Sequence, residues 1–242
     1  MLTCPDCRAT AAPDATYCAA CGGRMHLPAL RLSALIGQLI GGLLSFELPI
    51  LRTLRDLFRG PGRVAQAWIA GRRRSYINPI NLLVIVGVLI AISYEPLMRW
   101  RFESAAPGDA VYEAGLARNI NQYFALFCIA LLVPIAVVSA GLARLLRVRS
   151  AWLEWYVLSL YCYGLGSFIQ LLLSVVQMAI PHALTRNVIA GVSGLIPVVL
   201  LIWGGIDFVE KPLRGALVAF FGQTIGLAVL VLIVWLIQQS IA

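Results

Sequence analysis

Cysteine offers the most specific chemistry in this chain of 242 residues. Four of the six cysteines come as two pairs, Cys4-Pro-Asp-Cys7 and Cys18-Ala-Ala-Cys21, with ten residues between them. Each C-x-x-C pair turns the backbone so that two thiolates face one centre, and two pairs complete a tetrahedral set suited to zinc. With four thiolate ligands and no open position, the expected metal is structural rather than catalytic. Disulfides, iron or redox chemistry are the competing fates of such pairs. A reducing cytoplasmic setting, argued below, favours metal. A head of about 25 residues also lacks the core to fold without a metal or a bridge. Cys128 and Cys162 each stand alone in an apolar run, where cysteine behaves as a small apolar residue. His26 reads as an ordinary surface histidine, since four ligands are already present.

The elements that carry this head are membrane-like. The chain is 60% hydrophobic and only 12% charged, with a mean hydropathy of +0.86. That excludes an ordinary soluble globule, in which about a quarter of residues are charged. The net charge of +8 sits beside long apolar runs, which argues against a nucleic-acid-binding protein. A helix needs about 20 apolar residues to cross about 30 Å of hydrocarbon, and five stretches qualify: 79–98, 121–143, 152–180, 188–208 and 214–238. The first opens on Asn78-Pro79, an N-cap followed by a proline where its missing N–H costs nothing. Trp152, Trp155 and Tyr156 suit the membrane interface. No cleavable signal peptide is expected ahead of them. Residues 30–46 carry a one-sided stripe, Leu32, Leu35, Ile36, Leu39, Ile40, Leu43 and Leu44. That pattern reads as a surface or packed helix in preference to a sixth span.

Positive charge retained in the cytoplasm sets the orientation. With residues 1–78 inside, ten arginines precede the first span, and Arg144, Arg147, Arg149, Lys211 and Arg214 join them on that side. Only Arg99, Arg101, Arg118 and Arg186 fall outside. The amino terminus is therefore expected inside and the carboxyl terminus outside.

A basic connector joins head and membrane. Leu51, Leu54, Leu57 and Phe58 form one face of a helix, and Arg52, Arg55 and Arg59 share the other. Pro61 can begin a second short helix, with Arg63 in its first turn, that Gly71 ends, and Arg72, Arg73 and Arg74 then precede the first span. Each arginine so placed gains about 1 kcal/mol beside an anionic leaflet, so the connector is expected to lie on the cytoplasmic surface. The same arginines could equally serve only to fix topology.

Two resemblances follow from these residues. The cysteine spacing, with Tyr17 before the second pair, resembles the small zinc ribbons of bacterial proteins, although Arg8 stands where a glycine often follows the first pair. The order Arg52-Thr53, Asp56-Leu57, Pro61-Gly62, Ile69, Gly71, Arg73 and Tyr76-Ile77-Asn78-Pro79 is similar to the core of a bacterial family of multi-pass membrane proteins with an N-terminal cysteine ribbon. The resemblance covers the first 95 or so residues. It implies an architecture and a place in the bacterial inner membrane, and it supplies no catalytic residues.

Within the spans, Gln170, Ser174 and Gln177 share one face of the third, and Gln223 lies in the fifth. They could line a polar seam, or simply bond helix to helix. Gly222 and Gly226 form a G-x-x-x-G pair suited to close packing. Pro134 and Pro197 are expected to interrupt the second and fourth spans. Glu154, Asp207 and Glu210 are expected to pair at the interface with Arg147, Arg149, Lys211 and Arg214. No nucleophile elbow, phosphate loop or paired intramembrane aspartate is present in the sequence, and His182 reads as an exposed loop residue, so no enzyme is expected.

The sequence thus predicts an all-α polytopic membrane bundle of about five transmembrane helices with a small zinc ribbon. Residues 1–26 form the ribbon, 27–78 the amphipathic connector and 79–242 the bundle. Two roles fit. One is an adaptor or regulator binding anionic lipid or a cytoplasmic protein through the ribbon and collar. The other is a small-molecule or lipid carrier using the seam. Nucleic acid is not an expected partner.

Overall fold

The structure is a computed structural model that describes residues 2–4, 7–12, 15–20, 25, 48–103, 124–148, 151–177, 179–180 and 183–241. Residues 30–46, and with them the question of a sixth span, lie outside the described residues, as do Cys21, His26, Arg149 and His182. Strands β1 (Leu2–Thr3) and β2 (Thr10–Ala11) pair antiparallel, Leu2 opposite Ala11 and Thr3 opposite Thr10. Eight helices follow among the described residues: α1 (Leu48–Leu57), α2 (Pro61–Ile69), α3 (Pro79–Glu103), α4 (Phe124–Leu145), α5 (Trp152–Gln177), α6 (Ala183–Ser193), α7 (Ile196–Phe208) and α8 (Pro212–Ile241).

Among the described residues, four stretches are long and apolar enough to cross a membrane: Cys128–Leu145, Trp152–Gln177, Gly191–Phe208 and Pro212–Val229. The first expected span begins where the sequence places it, in α3, but its apolar section among the described residues, Pro79–Ser93, is shorter. Large apolar side chains stay exposed along the bundle, among them Val88, Ile92, Val137, Val176, Val199 and Leu232. In water such a belt would be a large sticky patch; against acyl chains it is solvated. The chain is an integral membrane protein.

Helix α5 is the axis. From Trp155 to Ser167 every residue but the half-buried Tyr163 is buried, and α5 touches α1, α2, α3, α4, α6 and α7. The most extensive contacts join α8 to α4 and to α7. Small residues let these backbones approach, as expected where lipid supplies no hydrophobic drive between helices. A Cβ on Gly205 would come within 2.6 Å of the Gly215 carbonyl oxygen. The Gly222–Gly226 pair does the same against Ser139 and Ile135 of α4, so it acts as a packing face.

Helix ends follow local chemistry. Asn78 caps α3: its side-chain oxygen accepts the Ile80 N–H at 3.0 Å, with Pro79 in the first helical position. Helix α2 ends at Gly71, whose φ of 107° is open to glycine, and Arg72 N–H bonds back to the Ala67 carbonyl at 3.0 Å. Helix α4 closes with the same bond, Val148 N–H to Ala143 at 2.9 Å, around Arg147 at φ 53°.

The expected fourth span departs from the prediction. It is two helices, α6 and α7, broken by a turn at Gly194 and Leu195. Pro197 does not interrupt a helix; it sits in the first turn of α7, where a ring with no N–H costs no hydrogen bond. Pro134 does lie inside α4.

Candidate functional site

Two places gather the residues that sequence singled out. In the head, the β1–β2 hairpin bends through the first C-x-x-C pair. Cys4 N–H bonds to the Ala9 carbonyl at 2.9 Å and Arg8 N–H to the Cys4 carbonyl at 3.0 Å. Arg8 has a φ of 64°, the left-handed turn for which glycine is the usual choice. The departure from the expected glycine therefore changes the residue and keeps the backbone. Sγ of Cys4, Cys7 and Cys18 lie within 4.8 Å of one another, with Cys7 and Cys18 3.6 Å apart. Tetrahedral thiolates at about 2.3 Å from one metal sit about 3.8 Å from each other. The three cysteines thus form a donor set that could hold a metal ion. None of them is in a disulfide. Cys21, the fourth expected ligand, lies outside the described residues. Cys128 and Cys162 are buried in spans, apart from this cluster.

The second place is the junction between connector and bundle, where the second connector helix packs on the membrane helices. Helix α2 buries Pro61, Gly62, Val64, Ala65 and Trp68 against α7 and α5. The approach is so close that a Cβ on Gly62 would stand 2.2 Å from the Gly204 carbonyl oxygen. Gln66 donates through Nε2 to the Phe208 carbonyl at 2.7 Å, and Arg63 Nε lies 3.5 Å from Asp207. Asp207 was expected to pair with arginines or the lysine of neighbouring loops; its partner comes instead from the connector. Arg214 donates to the Leu146 carbonyl at 2.7 Å.

The link from α2 to α3 is held at both backbone groups of one residue. Ile77 donates its N–H to Thr53 Oγ1 of α1 at 3.0 Å, and its carbonyl accepts the Tyr161 hydroxyl of α5 at 2.6 Å. One residue earlier, the Tyr76 hydroxyl donates to Asp56 at 3.2 Å. Burial, then the neighbouring Asp56 carboxylate, raises the Tyr76 phenol above its ordinary pKa. Arg73 lies over the Trp68 ring, 5.0 Å from its centroid, and burial lowers its guanidinium pKa. Of the arginines named from sequence, Arg73 therefore faces inward. Arg55, Arg59 and Arg63 are 63%, 67% and 66% exposed, and Arg52 and Arg74 are exposed too. Arg72 is half-buried. On the apolar face of α1, Leu57 is buried and Leu54 partly so, whereas Leu51 and Phe58 point outward.

The intramembrane residues are not gathered into one place. Gln170 donates to the Ser193 carbonyl of α6 at 2.9 Å, and Ser174 to the Leu171 carbonyl of its own helix at 2.7 Å. Gln177 is half-buried at the end of α5, and the buried Gln223 donates to the Tyr163 hydroxyl, two turns from Gln170. Each bonded group has a different partner, as helix-to-helix and local bonds require. Thr53, Gln66, Tyr76 and Tyr161 were missed as a set by sequence reasoning. Their only sequence signal is that Thr53, Asp56 and Tyr76 belong to the run whose order carried the resemblance.

The comparisons fall on this junction. Residues 48–90 match the model of a family described as a protein of unknown function, DUF3667. The matched stretch is α1, α2, the pinned link and the first turns of α3. No curated protein and no solved structure matches the chain. The similarity to that family therefore covers the connector and the start of α3.

Proposed function

We propose that this chain is a non-enzymatic adaptor or regulator of the bacterial inner membrane. It crosses five times, α3 included, with its amino terminus in the cytoplasm and its carboxyl terminus outside. Cys4, Cys7, Cys18 and Cys21 hold a structural zinc in a ribbon that docks a cytoplasmic protein. Arg52, Arg55, Arg59, Arg63 and Arg74 face the anionic leaflet beside it.

The observation that supports this reading is the two-sidedness of the connector. Its inner face is bonded to the spans through the Gln66 side chain and the Ile77 carbonyl, with Thr53 and Tyr76 tying the connector's own parts together, while Arg55 and Arg59 stay exposed beside the outward Leu51 and Phe58. Exposed apolar side chains between arginines suit the boundary between headgroups and acyl chains. A load on that surface would reach the spans through rigid contacts. The polar residues inside the bundle are bonded separately, which supports anchoring ahead of carriage.

The test is purification from native membranes in mild detergent. Wild type is compared with Cys4→Ser/Cys7→Ser and with Arg52→Gln/Arg55→Gln/Arg59→Gln, and zinc, proteins and lipids are quantified by mass spectrometry. The cysteine variant should lose zinc and a co-purifying protein while the bundle stays folded. The arginine variant should lose anionic lipid several-fold, about 1 kcal/mol for each charge removed. Unchanged protein and lipid complements in both variants would refute the reading.

A further inference from the structure

A cavity of about 540 Å³ opens where α2 meets the ends of α4 and α7, lined by Gln66, Arg147, Val148, Phe208, Val209, Glu210 and Lys211. That is the size of a small-molecule site. Three charged side chains share it, and among the described residues no ion pair joins Glu210 to Arg147 or Lys211. The charges are therefore spread around the wall and not neutralised against each other.

Each position is fixed by backbone. Arg147 leaves the end of α4 in the left-handed turn closed by Val148 N–H on the Ala143 carbonyl. Glu210 and Lys211 form the turn between α7 and α8. Gln66 has its Nε2 committed to the Phe208 carbonyl, which leaves Oε1 as an acceptor. The wall thus offers two cationic donors, one carboxylate and one amide oxygen, beside the apolar Val148, Phe208 and Val209. A bare phosphate would leave Glu210 without a partner, and a bare amine would leave Arg147 and Lys211 without one. A ligand carrying both charges satisfies all four groups.

We propose that this cavity binds a phosphoethanolamine zwitterion, its phosphate on Arg147 and Lys211 and its ammonium on Glu210 and the Gln66 oxygen. Arginine and lysine are the usual phosphate donors, the arginine in a bidentate fork. The apolar wall and the position at the ends of two spans suit the headgroup of a phospholipid, and free phosphoethanolamine shares the same chemistry. The cavity stands apart from the collar, because none of Arg52, Arg55 and Arg59 lines it. Failure here leaves the collar reading intact, and the reverse holds.

The experiment uses the full chain, purified in detergent and stripped of lipid. Binding of dihexanoyl phosphatidylethanolamine, dihexanoyl phosphatidylglycerol and free phosphoethanolamine is measured by calorimetry. Wild type should prefer the ethanolamine lipid over the glycerol lipid by about fivefold or more, and Lys211→Gln should weaken it about tenfold. Glu210→Gln should abolish the preference while retaining binding. Arg147→Gly, which suits the left-handed backbone and removes the charge, should weaken binding as Lys211→Gln does. All three residues are exposed, so thermal midpoints should match wild type. Equal affinity for free phosphoethanolamine would uphold the site and assign it to the soluble compound; affinity for the lipid alone would assign it to the headgroup. A wild type that binds the glycerol lipid at least as tightly, or variants that bind as wild type does, would overturn the proposal.

Discussion

The two halves of α5 show how differently polar residues are used in one helix. Toward its start, the Tyr161 hydroxyl reaches a backbone carbonyl 84 positions away in sequence, and the surrounding residues are buried on all sides. Toward its end, Gln170 reaches the carbonyl at the close of the next helix and Ser174 bonds within its own turn, between exposed Leu172, Val175 and Val176. The first half is the seat of the connector, and the second is a lipid-facing helix with local bonds. The difference teaches that the polar groups that organise this fold cluster where the connector docks.

Substitutions can break or sharpen that contrast. The largest effect is expected at Gly62, where a methyl group would meet the Gly204 backbone. Gly62→Ala should cost about 3 kcal/mol, read as a fall in detergent thermal stability or a loss of folded yield. Next come the two pins on Ile77. Thr53→Val and Tyr161→Phe each leave a buried backbone group unpaired and should cost about 1–3 kcal/mol in the same assay. In the other half of α5, Gln170→Leu should cost under about 1 kcal/mol, the usual size of a bond between membrane helices. Equal losses at Thr53 and Gln170 would erase the distinction between the halves.

The smallest effect is one of pH. Tyr76 has a folded-state pKa raised above 10.0, so it holds its proton more tightly folded than unfolded. Its contribution is complete below about pH 10 and is lost as pH rises through the folded value. Wild type should therefore lose more stability than Tyr76→Phe between neutral pH and about pH 11. Parallel losses would show that the Asp56 contact carries no such linkage.

How much of this was legible in sequence depends on the range of the chemistry. The Asn78-Pro79 start of α3, the Gly71 stop of α2 and the Gly222–Gly226 packing face are short-range signals, and each is where the sequence places it. The cysteine spacing likewise brings Cys4, Cys7 and Cys18 together, through a hairpin turn that Arg8 makes with glycine-like geometry. Pro197 misled because a proline reads alike in the middle of a helix and in its first turn; the break at Gly194 and Leu195 decides which. The Thr53–Ile77–Tyr161 link and the Arg63–Asp207 pair were invisible, because each joins residues that only the packing of α1 and α2 against α5 and α7 brings near. The outward Leu51 had the same cause: periodicity identifies an apolar face, and only the fold decides which part of it finds a neighbour.

The central claim is that the connector is a docked part of the bundle and not a loose basic tether. The most direct test is amide hydrogen exchange at Ile77 in the full chain, held in lipid nanodiscs, for wild type and Thr53→Val. The account predicts an Ile77 amide protected in wild type like those of the first turns of α3, and exchanging about tenfold or more faster in the variant. An Ile77 amide that exchanges in wild type at the rate of an open linker would contradict it.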